Sequence, residues 1–292
     1  MTAQAPSTEQ IRDAWEAIAP RFDEFATPET IGFGERILGR LGLDTGTRLL
    51  DVAAGSGALS LPAARLGAEV VAVDIAPAMI ERLQARARTD GLTNVAGRVM
   101  DGSALEFDDD TFDVSVSQNG VSVFPDMKRG LAEMVRVTKP GGTVLVVAFG
   151  ALERAEFLGF FVGAAKAAVP DFTPMPVDQP PLPFQVSDPA VFRARLAEAG
   201  LTDVTVETTT WDMPVESAMH LWNFIASGHP IGAQMIASLT REHQVETQRV
   251  LDGMLRERSG GEPGAVIHTE LNVGVGTKPE GSAHDHRLSR TQ

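Results

Sequence analysis

The chain has 292 residues, enough for one large core, and its 39 acidic against 25 basic side chains give a formal net charge of -14. With no cluster of Lys and Arg to offset that charge, a phosphate backbone or an anionic membrane surface is repelled overall, so nucleic acid is excluded as a first expectation. Cysteine is absent, which removes disulfides, thiolate metal sites and Cys nucleophiles, and no residue is assigned to a metal. No signal-peptide pattern and no bilayer-length apolar run is visible, so the expectation is a soluble, cytoplasmic protein with no membrane span.

Taken in order, Glu9 to Phe25 carries Ile11, Trp15, Ile18, Phe22 and Phe25 at helical spacing, broken by Pro20. Periodicity alone leaves two readings open, a lid over a site or a plain edge helix. A second helix is predicted from Glu29 to Leu41. The stretch Arg48 to Gly57, R-L-L-D-V-A-A-G-S-G, follows: an apolar strand, a carboxylate, and a turn in which Gly55 and Gly57 have no side chain to hold a ligand away. A helix from Ala58 to Leu66 should follow the turn. Next come a strand Glu69 to Ile75 containing Asp74, a helix opened by Pro77, and a strand Val95 to Met100 that stops at Asp101-Gly102-Ser103. A fourth strand, Phe112 to Ser117, runs into Gln118-Asn119-Gly120. After another helix, Thr138-Lys139-Pro140-Gly141-Gly142 reads as a stop signal. The strand Thr143 to Phe149 is continuously apolar and so should be buried on both faces. This alternation of strand and helix predicts a parallel sheet with its ligands at the C-terminal strand ends.

Beyond Gly150 the alternation fails. The reading there is a helix Leu152 to Val169, a proline-dense loop to Pro183, a helix from Asp188-Pro189 to Gly200 and a strand Val204 to Trp211. Helices Val215 to Ala226 and Gly232 to Arg258 follow, then a last strand Ala265 to Gly276 broken by Gly274.

A strand followed by G-x-G is common to many nucleotide folds. Here Ser60 stands where a dinucleotide fingerprint wants its third glycine, and Asp51 just before the turn would repel a pyrophosphate but attract an ammonium group. A cationic nucleoside without phosphates fits better. In this order, D-V-A-A-G-S-G, V-V-A-V-D-I, D-G-S and R-V-T-K-P-G-G-T-V-L-V-V resemble the class I S-adenosylmethionine-dependent methyltransferases, in particular their ubiquinone/menaquinone C-methyltransferase-like branch. The resemblance covers about Leu43 to Phe149. It implies an α/β fold, with a Rossmann-like seven-stranded mostly parallel sheet, an N-terminal helical lid and an inserted helical cap. The division is then a lid at 1–42, a cofactor-binding core at 43–150, a cap helix and Pro-rich loop at 151–186, the rest of the sheet with inserted cap helices at 187–278, and a disordered tail at 279–292.

The same resemblance implies S-adenosylmethionine as cofactor, leaving S-adenosylhomocysteine as product. Asp51, Ala53, Gly55, Ser56 and Gly57 would cradle its methionine part and ribose. Asp74 would accept from the ribose hydroxyls, with Ile75 and Met79 near the adenine. Asp101 would take the adenine amino group, Gly102 and Ser103 would flank the ring, and Gln118 would sit beside the sulfonium. Methyl transfer by direct displacement needs a nucleophile aligned in a water-poor pocket. Where the acceptor must lose a proton, the candidate bases are His229 and His220, with Glu216 and Asp212 behind them. As alternatives, His220 is an interface residue and His229 a turn residue. Aromatic residues of the cap point to a small, apolar or aromatic acceptor, methylated at C, O or N. Other readings are an NAD-dependent oxidoreductase and a noncatalytic protein that binds the cofactor or its product. A homo-oligomer is compatible with all of them.

Overall fold

The computed structural model describes residues 7–173 and 181–280, so half of the expected proline-dense loop and all of the tail beyond 280 lie outside the described residues. The chain forms one seven-stranded sheet in the order β3-β2-β1-β4-β5-β7-β6. The strands are β1 Arg48–Val52, β2 Glu69–Asp74, β3 Val95–Val99, β4 Phe112–Gln118, β5 Thr138–Phe149, β6 Thr202–Val215 and β7 Ala265–Thr277. The first five pair in parallel, and β7 runs antiparallel to both β5 and β6. The chain leaves β1 in one direction along the sheet and returns to β4 on its other side. That reversal opens a crevice at the C-terminal ends of β1 and β4, where α/β sheets bind ligands.

The sheet's register explains its core. In β5, Leu145 and Val147 join one apolar cluster while Val144, Val146 and Ala148 join the other, and all five are buried. A strand covered on both faces reads as an unbroken apolar run, as this one does. The Thr138-to-Gly142 segment, expected to be a turn, is the first part of β5. Thr138 pairs with Phe112, and the register then shifts before Val114 pairs with Thr143. Nor does Gly274 break β7. It is the place where Leu196 and the Phe192 ring lie on the strand, where a Cβ would meet Phe192 Cε1 at 2.9 Å.

The helices are α1 Thr8–Arg21, α2 Thr27–Leu38, α3 Ser60–Arg65, α4 Pro77–Thr89, α5 Met127–Val137, α6 Glu156–Ala168, α7 Pro189–Glu198, α8 Ala218–Gly228, α9 Pro230–Ala237 and α10 Arg241–Ser259. Pro20 does not end α1, which continues through a π-helical turn, Phe22–Ala26, into α2. The expected single helix from Gly232 to Arg258 is two helices, because Thr240 accepts the His243 N–H and starts α10 afresh. The helix after the glycine turn starts at Ser60, not at Ala58, since the turn takes up the intervening residues.

Several contacts fasten the N-terminal helices to the sheet side. Glu16 Oε2 accepts the Ala78 N–H at 2.9 Å and so caps α4, Asp23 pairs with Arg86, and Thr27 Oγ1 lies 2.5 Å from Ser56 Oγ. Two more join them to α8: Arg21 donates to Asn223 Oδ1 at 2.8 Å, and His220 Nε2 lies 3.2 Å from Glu29 Oε1.

Two glycine substitutions separate packing from propensity. Gly274→Ala should destabilise by about 1–3 kcal/mol through overpacking against Leu196 and Phe192. Gly253→Ala, in α10 with open space around it, should stabilise by about 0.5–1 kcal/mol. Denaturant melts of both variants check this, and equal effects of the two would contradict the packing described.

Candidate active site

A cavity of about 670 Å³ opens at the crevice between β1 and β4. Its floor is made where strands end. Asp51, Ala53 and Gly55 come from β1 and its turn, Asp74 and Ile75 from the end of β2, Asp101 to Ser103 from the loop after β3, and Gln118 to Gly120 from the end of β4. Met79 is added by α4. Ten of the twelve sequence-predicted cofactor residues therefore line one space. Ser56 and Gly57 do not. Ser56 is turned away and fully buried against Thr27, and Gly57, at φ 105°, packs on Leu61 and Leu83.

Two of the floor positions are non-glycine residues with left-handed backbone, Ala53 at φ 55° and Asn119 at φ 50°. They sit at the ends of the two strands that flank the topological switch, where conformations this costly are associated with function. Gly55, at φ 53°, is needed twice over: the backbone is left-handed, and a Cβ there would stand 3.0 Å from the Phe22 ring. Ser117 Oγ donates to Val52 O at 2.8 Å and accepts the Val121 N–H at 2.9 Å, which locks the two strand ends together.

The acidic residues differ in what they do. Asp74 accepts the Gly55 N–H on Oδ2 and the Ala76 N–H on Oδ1, each at 2.9 Å, so it ties the β1 turn to its own. Burial pushes its pKa up to about 6 against the pull of these backbone donors, and Glu16 adds to the rise. Asp51 is 1% exposed and accepts from Ser60 Oγ at 2.6 Å; burial pushes it up to about 7. Ser60, noted in the sequence only as a missing glycine, is thus the partner of a buried acid. Asp101 Oδ1 accepts from both the N–H and the hydroxyl of Ser103, so it closes its own turn while it also faces the cavity. Gln118 makes one long contact, Nε2 to Thr30 O at 3.5 Å.

The roof comes from outside the core. Ile11, Trp15, Phe22 and Thr30 of the N-terminal helices line the cavity. Asp126 and Arg129 at the start of α5 also line the cavity, and the wall under the cap is mostly apolar. Phe149, Phe157, Phe184, Trp211 and Phe224 form a continuous aromatic series, with successive ring centroids 5.3–6.0 Å apart. Asn119 is a floor residue that the sequence does not single out as a site candidate. A Gln-Asn-Gly run at a strand end was its signal, since Asn tolerates the left-handed region.

The candidate bases separate. His220 does not line the cavity: its Nδ1 accepts the Glu216 N–H at 3.2 Å and its Nε2 faces Glu29, so it is a residue of the joint between lid and cap. Asp212 pairs with His268 at the surface, Glu216 is exposed, and neither reaches the wall. His229 does line the cavity. Its Nδ1 accepts the Ile231 N–H at 3.1 Å to cap α9, its ring meets Trp15 edge to face at 5.2 Å, and burial pushes its pKa down to about 4. A group so weakly basic is a poor general base near neutrality.

Residues 50–146 match the methyltransferase domain family. The fold is that of the class I S-adenosylmethionine-dependent methyltransferases, and the resemblance to their menaquinone-like branch holds. A demethylmenaquinone methyltransferase of Renibacterium salmoninarum is 35% identical over 147 residues, 48% of this chain and 59% of the relative. An uncharacterized protein of Mycobacterium tuberculosis is 44% identical over 116 residues, 40% of this chain and 42% of the relative. The chain thus spans about half the length of the curated relatives it matches. In fold, the [4+2]-cyclase SpnF aligns over 95% of this chain and 98% of its own with a TM-score of 0.61 at 16% identity, so the likeness extends over lid and cap. S-adenosylmethionine is the cofactor that goes with such a domain, and an acidic, phosphate-averse floor fits it. Among the described residues no helix is long and apolar enough to cross a membrane.

The raised acids give a testable pH dependence. Asp51 is protonated more readily in the folded state than in the unfolded one. Its penalty is therefore absent below about pH 4, the unfolded value, and complete above about pH 7. Asp51→Asn should melt with the unliganded wild type below pH 4 and melt higher at pH 8, and a difference that does not change with pH would contradict the burial argument.

Proposed function

We propose that the protein is an S-adenosylmethionine-dependent methyltransferase acting on a small apolar or aromatic acceptor. The observation that carries this is the division of one cavity into an acidic floor at the strand ends and an uncharged aromatic wall under the cap. When bound, the cofactor supplies a methyl group on a positively charged sulfur, taken by direct displacement. The chain's own part is to bind, orient and exclude water. Asp74, with two lone-pair positions left beyond its backbone donors, would accept from ribose hydroxyls, and Asp101 from the adenine amino group. Asp51 would face the ammonium of the methionine part. The aromatic wall would hold the acceptor and keep water out, and a charged acceptor would lose its hydration there without a partner.

A pyrophosphate would meet Asp51 and Asp74 at the Gly55 turn, while the basic side chain on the cavity, Arg129, is held on Ser103 O in the loop after β3, which weighs against an NAD-dependent oxidoreductase. The fold by itself does not choose a reaction, so binding and turnover are measured separately. S-adenosylhomocysteine at a hundredfold its dissociation constant should stabilise the fold by about 2.7 kcal/mol, and NAD should not. Stabilisation by NAD and not by S-adenosylhomocysteine would overturn the proposal. Binding without transfer to any acceptor would leave a cofactor-binding protein. Asp74→Asn is a better probe than Asp74→Ala, which also strips the Gly55 turn of its anchor. The amide should weaken binding at least tenfold, the cost of about 1.5 kcal/mol per charged hydrogen bond.

A further inference from the structure

Among the described residues His229 is the one titratable side chain that the cap places on the cavity wall; the charged groups there, Asp51, Asp74, Asp101, Asp126 and Arg129, come from the ends of β1 and β2, the loop after β3 and the start of α5. Three observations fix its state. The Ile231 N–H points at Nδ1, and a backbone donor can be received only by a ring nitrogen that carries no proton. The neutral ring therefore carries its proton on Nε2. Trp15 holds the ring edge to face at 5.2 Å, and that packing restricts its rotation. Burial alone lowers its pKa, with no charged neighbour contributing, so nothing around the ring favours the imidazolium. Nε2 has no hydrogen-bond partner among the described residues.

We propose that His229 serves as a fixed, neutral hydrogen-bond donor through Nε2–H to an oxygen of the acceptor, and that the acceptor class is an apolar aromatic molecule bearing one such oxygen. This rests on the reading of the cavity as a methyltransferase site. A donor whose tautomer is set by the backbone costs nothing to orient, and in an apolar chamber its bond is worth more than in water. The same arrangement explains why a His stands at this helix start. Asn or Ser would cap α9 as well, but neither places a second polar atom farther out along the side chain. Selectivity follows from the donor. An acceptor without the oxygen leaves a desolvated N–H unpaired, so the site rejects it more strongly than the lost bond alone would require.

The test uses 2-naphthol and naphthalene, an aromatic pair differing in one hydroxyl, on protein saturated with S-adenosylhomocysteine. Nitrogen-15 NMR of the imidazoles should show His229 with Nε2 protonated and Nδ1 bare from pH 8 to below pH 6, and the Nε2–H resonance should move on adding 2-naphthol but not naphthalene. The wild type should bind 2-naphthol about tenfold more tightly than naphthalene. His229→Asn keeps an oxygen to cap the Ile231 N–H but cannot reach as far, and it should bind the two probes within about twofold of each other. Its affinity for S-adenosylhomocysteine should be that of the wild type.

A protonated ring at pH 7, the opposite tautomer, or equal binding of the two probes by the wild type would overturn the proposal. So would failure of both probes to bind, or a loss of S-adenosylhomocysteine affinity in His229→Asn, which would assign the donor to the cofactor. If S-adenosylhomocysteine does not bind the wild type at all, the methyltransferase reading itself fails, and the two failures are thereby told apart.

Discussion

The bond from the Gly55 N–H to the Asp74 carboxylate is the contact on which the site depends. Gly55 sits in the turn after β1, and Asp74 ends the neighbouring strand. One carboxylate therefore sets the shape of the first turn, through Oδ2, and of the second, through the Ala76 N–H on Oδ1. Burying a carboxylate is costly, and the backbone donors offset only part of that cost, which is why Asp74 still holds its proton to about pH 6. The lid is drawn into the same knot. Glu16 caps α4 two residues beyond Ala76 and raises Asp74 further, and the Phe22 ring lies where a side chain on Gly55 would have to go. The N-terminal helices, the glycine turn and Asp74 thus form one unit.

Cap and lid meet above that unit, and the two carry different chemistry. Among the described residues every charged side chain on the cavity wall belongs to the strand ends, the loop after β3 or the start of α5, and the cap adds aromatic rings and one neutral imidazole. The split follows from the fold. The C-terminal strand ends expose loops whose backbone must be satisfied, and acids accepting from nearby N–H groups do this while facing the ligand. The cap is a set of helices lying on the outer part of the sheet. Its inner face is apolar because it must bury Phe157, Trp222 and Phe224 against β6 and β7, and the cavity inherits that face.

The strands and the order of their acids were legible in the sequence because both follow from short-range pattern: a β-branched run, a carboxylate, a glycine or proline. Residues 48–57 and 69–74 needed no tertiary information. Four things were not legible. The Thr138-to-Gly142 run has the composition of a turn, yet pairing with Phe112 makes it strand, and pairing is a long-range fact. Gly274 reads as a strand breaker but is a packing position for Phe192, which lies more than eighty residues earlier in the chain. The two histidines look alike in sequence, one in a helix and one before a proline. Only the fold shows His220 facing Glu29 across the joint and His229 facing the cavity with one nitrogen already used. Ser60 is the clearest case. Read against a dinucleotide fingerprint it is only a missing glycine, whereas in space its hydroxyl is what Asp51 accepts from.

Electrostatics, more than topology, decides which nucleoside this crevice can hold. Many α/β sheets end in a glycine turn and an acid and bind pyrophosphate there through helix N–H groups. Here α3 begins three residues after Gly57 with Ser60, whose hydroxyl is committed to Asp51, and the first group met at the turn is a buried acid. Asp51 and Asp74 also repel each other, which adds to the burial that raises Asp51 to about 7, so ionising both acids on this floor is costly. A dianionic linker would add to that strain. A ligand with an ammonium and a sulfonium relieves it, and the relief grows as the pH rises and the acids ionise. The same floor that penalises the unliganded protein therefore selects a cation.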